Sequence, residues 1–230
     1  IFLDDGKMEV KVKKVLNDKE ILVNITIGGT LLPKKGVNLP DSELTMPAMT
    51  EKDFTDLNFI IENNLDWVAL SFVRRPTDII DLKKIIKERN SKIKVIAKIE
   101  MPEALRNIRD IIVESDAVMV ARGDLGVELP VEQVPIIQKE VIRKCMHRAK
   151  PVIVATQMME SMMDRTKPNR SEVTDVANAV LEGADAVMLS GETAMGEYPT
   201  LVVETMSKII MEVENNVYDY NRDDILAPQP

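Results

Sequence analysis

A chain of 230 residues, 45% hydrophobic and 30% charged, is long enough to bury a sizeable core and has an ordinary globular composition. Its net charge of −8 argues against a nucleic-acid surface, which would need a basic footprint, and no apolar run reaches membrane-spanning length. A single cysteine, Cys145, excludes an internal disulfide, and with one histidine, His147, it leaves little for a His/Cys metal site, so any metal is expected to be hard and oxygen-ligated.

The first stretch, 1–44, reads as a small antiparallel β unit. Asp4-Asp5-Gly6 is a turn signal. Met8, Val10 and Val12 alternate with charged residues, and a second strand is expected around 20–27, ended by Gly28-Gly29. From Thr50 the pattern changes. Thr50 with Asp53 predicts a helix start, and Phe54, Leu57, Ile60 and Ile61 share its apolar face. A buried strand is expected over 67–70, ending at Ser71, then a helix over 76–88 and a strand over 94–99 that ends at Glu100. A helix over 102–113 follows, then a strand over 117–121 running into Arg122-Gly123-Asp124. The remaining pairs are a helix over 131–145 with a strand over 152–155 ending at Thr156, a helix over 169–182 with a strand over 186–189 ending at Ser190, and a last helix from 199 to about 215.

Strict alternation of strands and helices predicts an α/β fold with a parallel sheet. An open doubly wound sheet and part of a (β/α)8 barrel both fit. The barrel is preferred because every strand ends in a polar residue and no glycine-rich nucleotide loop is present. A barrel of this kind needs about three further strands, expected before Ile1. The chain's ends, Ile1 and Ala227-Pro-Gln-Pro230, read as cuts in a longer chain, with 218–230 as a linker.

Chemistry is expected where the strands end. Lys98 and Glu100 point the same way, with Ile99 opposite, so a cation for phosphate or an oxyanion would stand beside a carboxylate for a metal. Asp124 is a second acid at a neighbouring strand end, and the Gly123, Asp124 and Leu125 amides would open a short helix suited to an anionic group. Thr156 ends the next strand, and Ser71 and Ser190 are weaker instances. Glu192 is expected to cap a helix. Met158, Met159, Met162 and Met163 are read as core or a subunit contact, not as soft-metal ligands.

Seven motifs, in order, then point to one family. They are Lys35-Gly-Val-Asn-Leu-Pro40, Ser71-Phe-Val-Arg74, Lys98-Ile-Glu100, Met119-Val-Ala-Arg-Gly-Asp-Leu-Gly126, Ala155-Thr-Gln-Met158 with Glu160-Ser-Met162, Asp175-Val-Ala-Asn-Ala179 and Leu189-Ser-Gly-Glu-Thr193. Together they closely resemble pyruvate kinase, a cytoplasmic glycolytic enzyme. The resemblance implies that 1–44 is part of a small β-rich lid that closes over a nucleotide, 45–217 is strands four to eight of a (β/α)8 TIM barrel, and 218–230 leads to a further domain. It implies Glu100 and Asp124 as ligands of Mg²⁺ or Mn²⁺ and Lys98 as the lysine that stabilises the phosphoryl group. Thr156 would stand near the enolate methylene, and Gly123 and Asp124 would hold the substrate carboxylate. Lys35 and Asp5 would meet nucleotide phosphates, and Ser71 would lie near a K⁺ site. The partners implied are phosphoenolpyruvate and ADP, or pyruvate and ATP, with no nucleic acid, no membrane and a homotetrameric assembly.

Two other readings stand beside it. One is a metal-dependent barrel aldolase or lyase acting on a pyruvate enolate, which would have no use for the lid unit. The other is a non-catalytic truncated piece, unstable or self-associating alone because open strand edges stay unpaired.

Overall fold

The computed structural model describes residues 1–220 except 5, 34, 41 and 43–46. The expected boundary near residue 44 and residues 221–230 of the expected 218–230 linker lie outside them, while 218–220 continue the last helix. Four strands, β1 (Phe2–Leu3), β2 (Met8–Asn17), β3 (Glu20–Ile27) and β4 (Val37–Asn38), form an antiparallel sheet in the order β3-β2-β1-β4. β2 and β3 make a hairpin whose Asn17↔Glu20 pair closes on the two residues between. Gly6 takes φ 82° in the turn between β1 and β2, a conformation open to glycine without strain. The sequence pattern missed β4, because two residues carry no periodicity and are held only by pairing with β1.

The second unit alternates helix and strand. In chain order it comprises α1 (Glu51–Glu62), β5 (Trp67–Leu70), α2 (Pro76–Glu88), β6 (Lys94–Ile99), α3 (Pro102–Arg106), α4 (Ile108–Glu114), β7 (Ala117–Ala121) and α5 (Arg122–Glu128). It continues through α6 (Val134–Met146), β8 (Val152–Ala155), α7 (Arg170–Leu181), β9 (Ala186–Met188), α8 (Gly191–Ala194) and α9 (Pro199–Tyr220). The five strands are parallel and stand in the order β5-β6-β7-β8-β9. A doubly wound sheet would reverse its order at a switch point. Unbroken sequential order is instead how consecutive strands of a (β/α)8 barrel lie. Among the described residues the sheet stays open.

Local chemistry explains the elements. Thr50 caps α1 and forms a reciprocal capping box with Asp53, as expected from sequence. At the start of α7 the Glu172 carboxylate accepts the Asn169 N–H at 2.8 Å. The core lies between the sheet and its helices. Val95, Ala97 and Ile99 of β6 are fully buried, as are Ile79 of α2, Ile111 of α4 and Ile142 of α6. All five residues of β7 are buried, because strands flank it on both sides.

Two expectations need correction. The strand over 67–70 is not buried: Trp67 and Ala69 are exposed and only Leu70 is buried. Among the described residues β5 is an edge strand paired with β6 alone, so one of its sides stays open. The helix expected over 102–113 is two helices, α3 and α4, broken at Asn107, whose side chain donates to Arg74 O at 2.9 Å and Glu103 O at 3.2 Å. Those side-chain bonds offer the backbone an alternative to continuing the helix. Of the four methionines expected to be core or a subunit contact, Met158, Met159 and Met162 are fully buried and Met163 is half-buried.

Cys145 is fully buried on α6, and burial, with a smaller contribution from the Asp185 charge, pushes its thiol up to about 12. A thiol raised in the folded state favours folding below its ordinary value of 9.0, and that contribution is lost as pH rises toward 12. Native protein at pH 8 is therefore expected to resist thiol reagents that label it at once in urea. Rapid native labelling would contradict the burial.

Candidate active site

Five strands end at one side of the sheet, and their last residues and following loops form the site. Strand alternation puts Lys98 and Glu100 on the same face of β6, and their side chains pair at 2.5 Å. Glu100 is 1% exposed. One of its oxygens takes the Lys98 ammonium and the other accepts from the Phe72 N–H at 2.6 Å. Phe72 adopts φ 54° to present that N–H, so the loop after β5 is shaped around the carboxylate. Lys98 also donates to Ser71 Oγ at 2.9 Å. Ser71, Lys98 and Glu100 are thus one connected group drawn from two adjacent strands.

The register pairs Ile99 with Val120, which brings Arg122-Gly123-Asp124 to the same end as Glu100. Gly123 donates its N–H to Thr156 Oγ1 at 2.7 Å, and the Thr156 hydroxyl donates to Ala155 O at 2.6 Å. A Cβ at Gly123 would stand 3.2 Å from Thr156 Oγ1, a contact tight enough that the threonine side chain would have to shift. Thr156 and Gln157 have φ of 70° and 55°, unusual for residues with a Cβ. Sequence reading found Thr156 and Gly123 but not their contact.

Lys35 belongs to the β unit. Its ammonium lies 2.8 Å from an Asp4 carboxylate oxygen, and Lys7 lies 3.6 Å from the other. Lys35 holds the Asp4 carboxyl below its usual range. Asp5, named from sequence, lies outside the described residues; Asp4, its neighbour, was missed. The β unit touches the strand-end region through Asn38, which donates to Glu128 Oε1 of α5 at 2.8 Å. Glu192 is 2% exposed and accepts N–H groups from Met159 at 3.1 Å and Ser190 at 2.8 Å. It ties the loops after β8 and β9 together, where a helix-capping role was expected; α8 carries no side-chain cap.

Arg122 is the main residue that sequence reading passed over. Its Nη1 pairs with both oxygens of Asp175 at 2.7 Å, and its Nη2 reaches Thr156 O at 2.8 Å. An arginine after a strand gives no signal of its own. Arg122 and Asp175 each stand inside a recognised motif, which was the available hint.

No group of three or more His, Cys, Asp or Glu side chains arranged for a metal is found among the described residues. Mg²⁺ does not need one, since it takes one or two carboxylates and fills its remaining positions with water and substrate oxygens. Glu100 fits that role: it is hard, buried and already oriented. A carboxylate has about four lone-pair sites, so Lys98 and Phe72 leave room.

Comparison with known proteins agrees with the geometry. The family profile described as pyruvate kinase, barrel domain, matches residues 1–203. A pyruvate kinase of Mycobacterium tuberculosis is 50% identical over 216 residues, covering 94% of this chain and 46% of that protein. One from Staphylococcus epidermidis is 49% identical over 215 residues, covering 93% of this chain and 37% of that protein. One from Clostridium perfringens is 48% identical over 222 residues, covering 96% and 46%. The chain therefore spans less than half the length of these relatives.

Proposed function

The chain belongs to the pyruvate kinase family, and from that premise we propose that the intact protein transfers the phosphoryl group of phosphoenolpyruvate to ADP, giving pyruvate and ATP. Family membership across residues 1–203 carries the reading. The Lys98–Glu100 pair at a strand end supports it, because a fixed cation beside a hard-metal carboxylate suits a reaction that moves negative charge. A barrel lyase is not favoured, since the relatives above are all named pyruvate kinases. Residues 1–44 act as the lid unit, 45–217 as the barrel part, and 218–230 as the link beyond it. The setting is cytoplasmic glycolysis and the assembly a homotetramer. Among the described residues no helix is long and apolar enough to cross a membrane.

Glu100 and Asp124 would hold Mg²⁺ or Mn²⁺. When bound, that ion neutralises charge on the phosphoryl and enol oxygens. K⁺ is a different case: Ser71 offers one oxygen, which already accepts from Lys98, and that donor alone does not fit the ion. The substrate carboxylate binds at the Gly123 and Asp124 backbone. A β-phosphate oxygen of ADP attacks phosphorus and the bond to the enol oxygen breaks. Lys98 faces the charge that develops on the phosphoryl group. The enolate left behind takes one proton at its methylene carbon, beside the Thr156 hydroxyl, and becomes pyruvate. Lys35, and Asp5 with it, meets the nucleotide phosphates as the lid unit excludes water.

The test is to titrate the intact protein with Mn²⁺ and pyruvate, with and without ADP, a combination that cannot turn over. ADP is expected to tighten pyruvate and Mn²⁺ binding. Indifference to ADP would favour the lyase.

A further inference from the structure

We propose that Arg122 is a positioning residue that sets the Thr156 hydroxyl against the Gly123 amide; the consequence for catalysis rests on the kinase reading above. The Arg122 side chain is only 11% exposed. It starts α5, one residue before Gly123, yet its guanidinium reaches the loop after β8. There Nη2 donates to Thr156 O at 2.8 Å and Gln157 O at 3.3 Å, and contacts Met158 Sδ at 2.8 Å. Nη1 is anchored from α7 by both oxygens of Asp175 at 2.7 Å and lies 3.4 Å from Gln138 Oε1.

The two carbonyls belong to the residues with positive φ. A β-branched threonine does not adopt that conformation by preference. Something must hold it, and the guanidinium does so, with Nη2 facing both carbonyls while Nη1 is fixed on Asp175. The arrangement leaves Nε buried and without a hydrogen-bond partner among the described residues, so the Nη groups orient the side chain. Held this way, Thr156 turns its hydroxyl to accept from the Gly123 N–H at 2.7 Å. Asp175, Arg122, Thr156 and Gly123 thus form one chain of contacts joining α7 to the strand ends. It fixes the distance between the group assigned to the substrate carboxylate and the group assigned to the methylene. Lysine cannot replace the fork, because one ammonium cannot span Asp175 and both carbonyls.

Arg122→Lys and Asp175→Asn in the intact protein test the proposal. Asp175→Asn keeps the guanidinium and loosens only its anchor, so it decides the matter if Arg122→Lys does not fold. Backbone amide exchange over residues 119–126, followed by mass spectrometry, reads the Gly123 contact without any substrate. It is expected to speed up roughly tenfold at Gly123 in either variant. Turnover is expected to fall by about 10²-fold in Arg122→Lys, with KM for phosphoenolpyruvate nearly unchanged. Deuterium uptake from solvent into the pyruvate methyl, in which one C–H bond breaks and one C–D bond forms, should fall in step. Folded variants with wild-type Gly123 protection would overturn the proposal, as would a loss expressed only in KM. Wild-type protein that makes no ATP would instead overturn the kinase reading, while amide exchange would still decide whether Arg122 holds the contact.

Discussion

Lys98→Ala is expected to lower kcat of the intact protein by about 10²–10³-fold, the loss typical of removing one preorganised charge stabiliser. The ammonium is held in place before substrate arrives, by Glu100 at 2.5 Å and Ser71 Oγ at 2.9 Å. It therefore needs little reorganisation as charge builds on the phosphoryl group. An interaction made mainly in the transition state is lost from kcat and leaves the KM for ADP nearly unchanged. The substitution also leaves Glu100 without its cation in a site that is 1% exposed. Divalent-ion affinity should then hold or rise, since the competing positive charge is gone. Steady-state kinetics and Mn²⁺ titration on the same preparation separate these effects. A full-rate Lys98→Ala enzyme would remove the lysine from the mechanism.

Glu100→Gln is expected to weaken Mn²⁺ binding by at least about 10²-fold, the upper range for losing even an outer-shell partner of a metal site. The amide matches the carboxylate in size, and its oxygen can still accept the Phe72 N–H seen at 2.6 Å. The fold should survive, so the loss reports charge and ligation. Electron paramagnetic resonance of free Mn²⁺ reads it without substrate. Unchanged affinity would place the ion elsewhere.

Sequence revealed most of what is repetitive and most of what is paired by period. The bounds of β6, β7 and β8 follow from their apolar runs, and Lys98 and Glu100 follow from alternation on β6. Thr50 and Asp53 announced α1 because a capping box is local. What stayed hidden depends on distant neighbours. Burial of a strand depends on what lies beside it, so Trp67 and Ala69 on the edge strand β5 gave no warning of exposure. The break at Asn107 depends on Arg74, far back in the chain. Arg122 reads as an ordinary polar strand end until α7 and the loop after β8 close around it. Asp4 joins Lys35 only once β1 and the 30–36 segment come together.

Phosphorus NMR of the intact protein with phosphoenolpyruvate, ADP and Mg²⁺ tests the proposed reaction most directly. Equal loss of phosphoenolpyruvate and gain of ATP is expected, abolished when ADP or the divalent ion is omitted. Phosphoenolpyruvate consumed without ADP, or left intact with every component present, would contradict a phosphoryl transfer centred on Lys98 and Glu100.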